Sequence, residues 1–177
     1  DSVHAFFALI PFDHPMLADA PETIKSPFGV LIAASDEAGF AARDVESLCR
    51  SAVSSKTNQF TEHTGTLGDR AQYSMRSSTG EKGIGFKSMF GHVSSPHIFS
   101  RHFRFRFKPK SAENPLHVVT PYWVDDPTAA AWARDAVSSI SGGALSPDDG
   151  HGTILVLPLA TAQVYDVVSA SLRESIE

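Results

Sequence analysis

The stretch richest in chemical potential is Gly80-Glu81-Lys82-Gly83-Ile84-Gly85-Phe86-Lys87-Ser88. Glycines at these spacings let backbone N–H groups approach a ligand without a side chain in the way, and such N–H groups can hold phosphate oxygens. A helix opening out of the segment would aim further N–H groups at the same anion. Lys82 and Lys87 add positive charge. By composition alone, an ordinary glycine-rich turn explains the segment equally well. Two phosphate motifs can be set aside. A P-loop would need lysine directly after the last glycine, but Phe86 intrudes before Lys87-Ser88. A dinucleotide fingerprint would need glycine where Ser88 stands. Both also require a buried strand just upstream, and the polar run DRAQYSMRSST at 69–79 has no strand pattern.

Elements must position this segment. Residues 5–12 (AFFALIPF) and 28–34 (FGVLIAA) are apolar runs of strand length. Residues 41–53 bring Val45, Leu48, Cys49 and Ala52 round at helical spacing. The segment 54–80 is polar, rich in Ser, Thr and Gly, and without period, as functional or mobile segments are. Residues 86–90 begin a short helix. In 99–108, Phe103, Phe105 and Phe107 alternate with Arg104, Arg106 and Lys108, the pattern of a half-buried strand, with Arg101-His102 as a turn before it. Residues 117–124 predict another strand. Asp126-Pro127 opens a helix to about Ile140, which Gly142-Gly143 ends. Residues 153–159 predict a buried strand and 162–176 a last amphipathic helix. The alternation predicts one α/β domain, with no internal repeat.

The segment 80–88, followed by Met89-Phe90 and then Pro96-His97-Ile98-Phe99-Ser100, resembles the second glycine box of the GHKL ATPases (gyrase, heat-shock chaperone, histidine kinase and MutL). Within that superfamily it looks like the sacsin and NO VEIN branch. Upstream, Ser35-Asp36-Glu37-Ala38-Gly39-Phe40 resembles the first glycine box, with Ser35 where the branch usually has asparagine. Ser54-Ser55-Lys56 resembles the end of the branch's next helix, although Arg50-Ser51-Ala52-Val53 depart from its pattern. Gly152-Thr153 resembles the start of the strand that closes the pocket. Taken singly, the first box reads as a surface turn, and Gly-Thr before an apolar strand is uninformative. The resemblance spans about 28–159.

It implies a Bergerat-type two-layer sandwich: a mixed, mainly antiparallel sheet with helices on one face and ATP between helices and lid. It also implies roles. Asp36 would accept a hydrogen bond from the adenine amino group, Gly39 would let the base come close, and Thr153 would help hold it. Lys56, Gly80, Lys82, Gly83, Ile84, Gly85, Phe86, Lys87 and Ser88 would surround the phosphates, and residues 57–79 would form a lid that closes on ATP rather than ADP. Hydrolysis in the superfamily uses an E-x-x-x-N helix whose glutamate activates water and whose asparagine holds Mg²⁺. The only asparagines, Asn58 and Asn114, follow Asp36, and Glu22, the only glutamate before it, lies in a Pro-rich loop. The expectation is an N-terminally truncated piece lacking that helix, with no catalytic residue of its own, in a larger protein whose other domains are its partners. A chaperone-like or regulatory ATPase is one reading. A non-catalytic interaction domain that keeps the fold is the other.

Bulk properties narrow the remaining classes. A net charge of −5 gives no basic field for nucleic acid or anionic membrane, so the Arg/Lys face of residues 104–108 reads as solvated. No apolar run approaches the roughly 20 residues of a spanning helix. Cys49 is the only cysteine, which allows an intracellular, reducing location. His92, His97 and His102 recur every five residues, a spacing that puts them on no common face and predicts no zinc site. Asp148-Asp149 lacks the calcium-loop pattern.

Overall fold

The computed structural model describes residues 4–49, 84–109, 111–114, 116–145 and 152–175. Six strands form one sheet: β1 (Ala5–Ile10), β2 (Val30–Ser35), β3 (His97–Ser100), β4 (Phe103–Phe107), β5 (Pro121–Trp123) and β6 (Thr153–Pro158). Their order is β1-β2-β6-β3-β4-β5, and every neighbouring pair is antiparallel. The expected parallel component is not found among these pairs.

Among the described residues, four α-helices accompany the sheet: α1 (Ala42–Cys49), α2 (Ile84–Ser88), α3 (Pro127–Ile140) and α4 (Ala162–Glu174). Local chemistry explains their starts. The Asp44 carboxylate accepts the Ala41 N–H at 2.8 Å, half of a capping box. Asp126 accepts the Thr128 N–H at 2.9 Å with Pro127 in the first turn. Thr161 Oγ1 accepts the Val164 N–H at 3.2 Å. After α3, Gly142 and Gly143 take left-handed φ values of 62° and 81°, which end the helix as expected.

Side-chain alternation divides the sheet into two buried faces. Ile10, Val30, Ile32, Ala34, Phe99, Ile154 and Val156 point to one, where α3 (through Ala129, Ala133 and Val137) and Leu17, Ala20 and Ile24 of the β1–β2 connection cover them. The indole of Trp132 ties these covers together by donating to the Met16 carbonyl at 3.0 Å. On the opposite face, Ile98, Phe105 and Phe107 pack with Val45 and Leu48 of α1 and Phe86 and Phe90 of the α2 region. Leu157 and Leu159 pack there with Val164 and Tyr165 of α4. Helices therefore sit on both faces, not on one as expected. The physical reason is the near-continuous apolar character of β2 and β6, whose alternate side chains both need cover.

Two expected elements differ in extent. The strand foreseen at 117–124 is confined to Pro121–Trp123, because Val119 and Thr120 N–H groups bond back to the Leu116 carbonyl and form a turn instead. The helix foreseen at 41–53 runs Ala42–Cys49, and residues 50–53 lie outside the described part.

Candidate functional site

The adenine-end residues singled out from sequence, Asp36, Gly39 and Thr153, meet at one end of the sheet. β6 lies between β2 and β3, so Thr153 stands opposite Ser35 on one side and Ser100 on the other. Thr153 and Ser100 are both buried, and their hydroxyls are 2.7 Å apart. Ser100 Oγ also accepts the Phe40 N–H at 2.8 Å, joining the 35–40 turn to β3. The Gly152 N–H donates to the Glu37 carbonyl at 2.7 Å, joining that turn to β6. The first box, the end of β3 and the start of β6 are thus one hydrogen-bonded unit. Ser100 is its hub. Ser100 ends the P-H-I-F-S stretch, but its role is not legible in the sequence, because a serine ending a strand carries no periodic signal.

Asp36 continues the β1–β2 ladder past Ser35. Its N–H donates to the His4 carbonyl at 3.2 Å, while the His4 N–H donates to Asp36 Oδ1 at 2.7 Å. The His4 ring Nδ1 lies 2.9 Å from Oδ2. The side-chain bond and then the backbone bond from His4 hold the Asp36 carboxyl below the usual carboxylate range. An ionised carboxylate offers about four acceptor positions, so two remain for a ligand. No sequence pattern marks His4, which is 32 residues from Asp36.

Gly39 has φ 73°, a left-handed conformation that costs glycine little. A Cβ there would lie 2.6 Å from Arg101 Cγ and 3.0 Å from Ser100 Oγ. The space left by the missing side chain is therefore filled by Arg101. That differs from the expectation that a base would use it.

The glycine-segment residues contribute unevenly. Ile84 and Gly85 supply backbone to the first turn of α2. Phe86 is a packing residue, its ring 5.8 Å from those of Phe90 and Phe107. Lys87 lies within electrostatic reach of Cys49 on α1. Burial lowers its ammonium pKa against the raising effect of the thiol, and burial raises the Cys49 thiol. Ser88 is exposed. Lys56, Gly80, Lys82, Gly83 and the lid at 57–79 lie outside the described residues.

Three cavities of about 400, 630 and 230 Å³ lie elsewhere, the first lined by the β1–β2 connection, the second by that connection and the approach to α3, and the third by that connection and α4. None of the three includes residues 36–40, 84–88 or 152–153. Comparison with models of known protein families finds no match to this chain, and comparison with curated proteins finds none either.

Proposed function

We propose that this chain is an adenine-nucleotide-binding domain of the GHKL type, belonging to a chaperone-like or regulatory protein. One observation carries the reading. The 35–40 turn and Gly152-Thr153, which the family resemblance makes the two adenine boxes, are hydrogen-bonded into one unit through Ser100 and Glu37. Two support it: α2, which forms the end of the glycine segment, packs with α1 on a single sheet face, and that face also carries Thr153. In this reading the Bergerat sandwich consists of the sheet with α1, α2 and α4. The layer made by α3 and the β1–β2 connection is an addition on the far face.

The residues fit the base end of ATP. Asp36 keeps acceptor capacity for the exocyclic amino group, whereas guanine presents a carbonyl at that position and would meet a second acceptor. The asparagine that holds Mg²⁺ in the superfamily has no counterpart before Asp36 in this sequence, so the proposal is one of binding and derives no hydrolytic step. Calorimetric titration with ATP and GTP, for the unaltered protein and Asp36→Ala, tests it. The expected result is preference for ATP and at least about tenfold weaker binding in the variant, the effect of losing a hydrogen bond to a charged group. A preference for GTP, or equal ATP affinity in both proteins, would sink the assignment. The engagement of both Asp36 oxygens by His4 favours a second reading, an interaction domain of this fold that takes no nucleotide. Absence of ATP binding by the unaltered protein selects it.

A further inference from the structure

We infer that Arg101 is a ligand-contact residue at the base end of the proposed site, donating from its guanidinium to the nucleoside part of the bound nucleotide. The inference rests on the adenine-nucleotide reading and adds to it a residue that no motif points to.

Three independent features single Arg101 out. First, it is the only non-glycine residue with positive φ among the described residues, at 55°. The β3–β4 turn could be built more cheaply with glycine or asparagine, so a β-carbon here is held at a cost of strain. Second, its Nε is buried and has no hydrogen-bond partner. A buried donor left unmade is costly, and in native proteins such a group commonly marks a site completed by a ligand, an ion or water. Third, its stem crosses the bare Cα of Gly39, where Cγ would be 2.6 Å and Cδ 3.1 Å from a Cβ. Gly39 belongs to the turn that presents Asp36, and Ser100, next to Arg101 in sequence, holds Thr153. The side chain thus lies against the first box, one residue along from the serine that bonds to the second.

The chemistry of the two charged residues is complementary. Asp36 can only accept, and it suits the exocyclic amino group. Arg101 can only donate, and adenine offers ring nitrogens and the ribose offers oxygens as acceptors. A planar guanidinium can also lie against the flat base. One acceptor and one donor contacting the same nucleoside make a selective pair. Arg101 would then supply affinity for adenosine itself and not only for its phosphates.

The strain makes structural and binding roles separable. Arg101→Gly and Arg101→Asn both suit a left-handed turn and remove the guanidinium, whereas Arg101→Lys keeps the charge and loses the fork. Thermal unfolding without ligand and calorimetric titration with adenosine and with ATP should be measured for all three. The expected result is binding of both ligands weakened about tenfold by glycine or asparagine, with an unchanged or higher thermal midpoint, and an intermediate loss with lysine. Unchanged adenosine affinity in the glycine and asparagine variants would overturn the inference, and so would a loss confined to ATP. Affinity that falls only together with the thermal midpoint would reduce Arg101 to a structural part. Asp36→Ala is the control that keeps the two proposals apart. If the unaltered protein binds and Asp36→Ala does not, while Arg101→Gly binds normally, this inference fails and the nucleotide reading stands. If the unaltered protein binds neither ligand, both fail.

Discussion

His97 illustrates how a single residue can set the pH dependence of the whole chain. It is fully buried, its Nδ1–H donates to the Ser95 carbonyl at 2.8 Å, and its Nε2 lies 3.2 Å from Thr23 Oγ1. Burial lowers its pKa from 6.5 to about 4, against the raising effect of the Ser95 bond. Between those values the unfolded chain binds a proton that the folded chain refuses. Stability is thus fully present above pH 6.5 and falls as pH drops toward 4, by up to about 3 kcal/mol. Urea midpoints at pH 7 and pH 4.5 check this: His97→Gln should flatten the difference, and an unchanged difference would refute it. Asp36 has the opposite arrangement, an exposed carboxyl lowered by a partner. In a carboxyl-detected NMR titration, His4→Ala should move the Asp36 midpoint upward. Neither role was legible beforehand. His97 belonged to a five-residue spacing that suggested nothing, and His4 acts through a register contact with β2 that no local pattern encodes.

Among the elements, the entry into β2 is the least forgiving. Gly29 has φ 94°, and a Cβ there would meet the Ile10 carbonyl at 2.7 Å and the Tyr165 ring at 3.0 Å. A backbone carbonyl paired into a sheet cannot yield, so Gly29→Ala should cost about 2–4 kcal/mol. Gly142 is also left-handed but has nothing within 4 Å of its would-be Cβ, so Gly142→Ala should cost only about 1–2 kcal/mol. Urea unfolding of the two variants, with equal losses as the contrary result, decides whether close approach adds to strain. At this scale the sequence was most informative where side chains alternate or caps stand in place. β4 is readable from Phe103, Phe105 and Phe107, and α3 from Asp126-Pro127 and the two glycines that follow it. β5 was overestimated because Val118 and Val119 have strong strand preference, which the turn onto Leu116 overrides.

For the molecule as a whole, β6 couples everything. Leu155 faces α1 and α2, Val156 faces α3, and β2 pairs with all of Thr153–Pro158 while β3 pairs with Thr153–Val156. Leu155→Ala and Val156→Ala should therefore lower one cooperative transition, by about 2–4 and 1–3 kcal/mol. Tryptophan fluorescence and far-ultraviolet circular dichroism should move together, and separate transitions would show that the two faces unfold independently. Cover on both faces was foreshadowed by the unbroken apolar runs AFFALI, VLIAA and TILVLP. It was missed because the family resemblance carried a one-faced arrangement with it. The position of β6 also has a consequence for biosynthesis. Of the described strands it comes last in sequence, and it joins β1-β2 to β3-β4-β5. A ribosome delivering this chain holds two unfinished half-sheets, each with an edge of unpaired backbone groups, until β6 emerges. Synthesis halted before Thr153 leaves two open edges seeking a partner strand, and not a smaller folded domain.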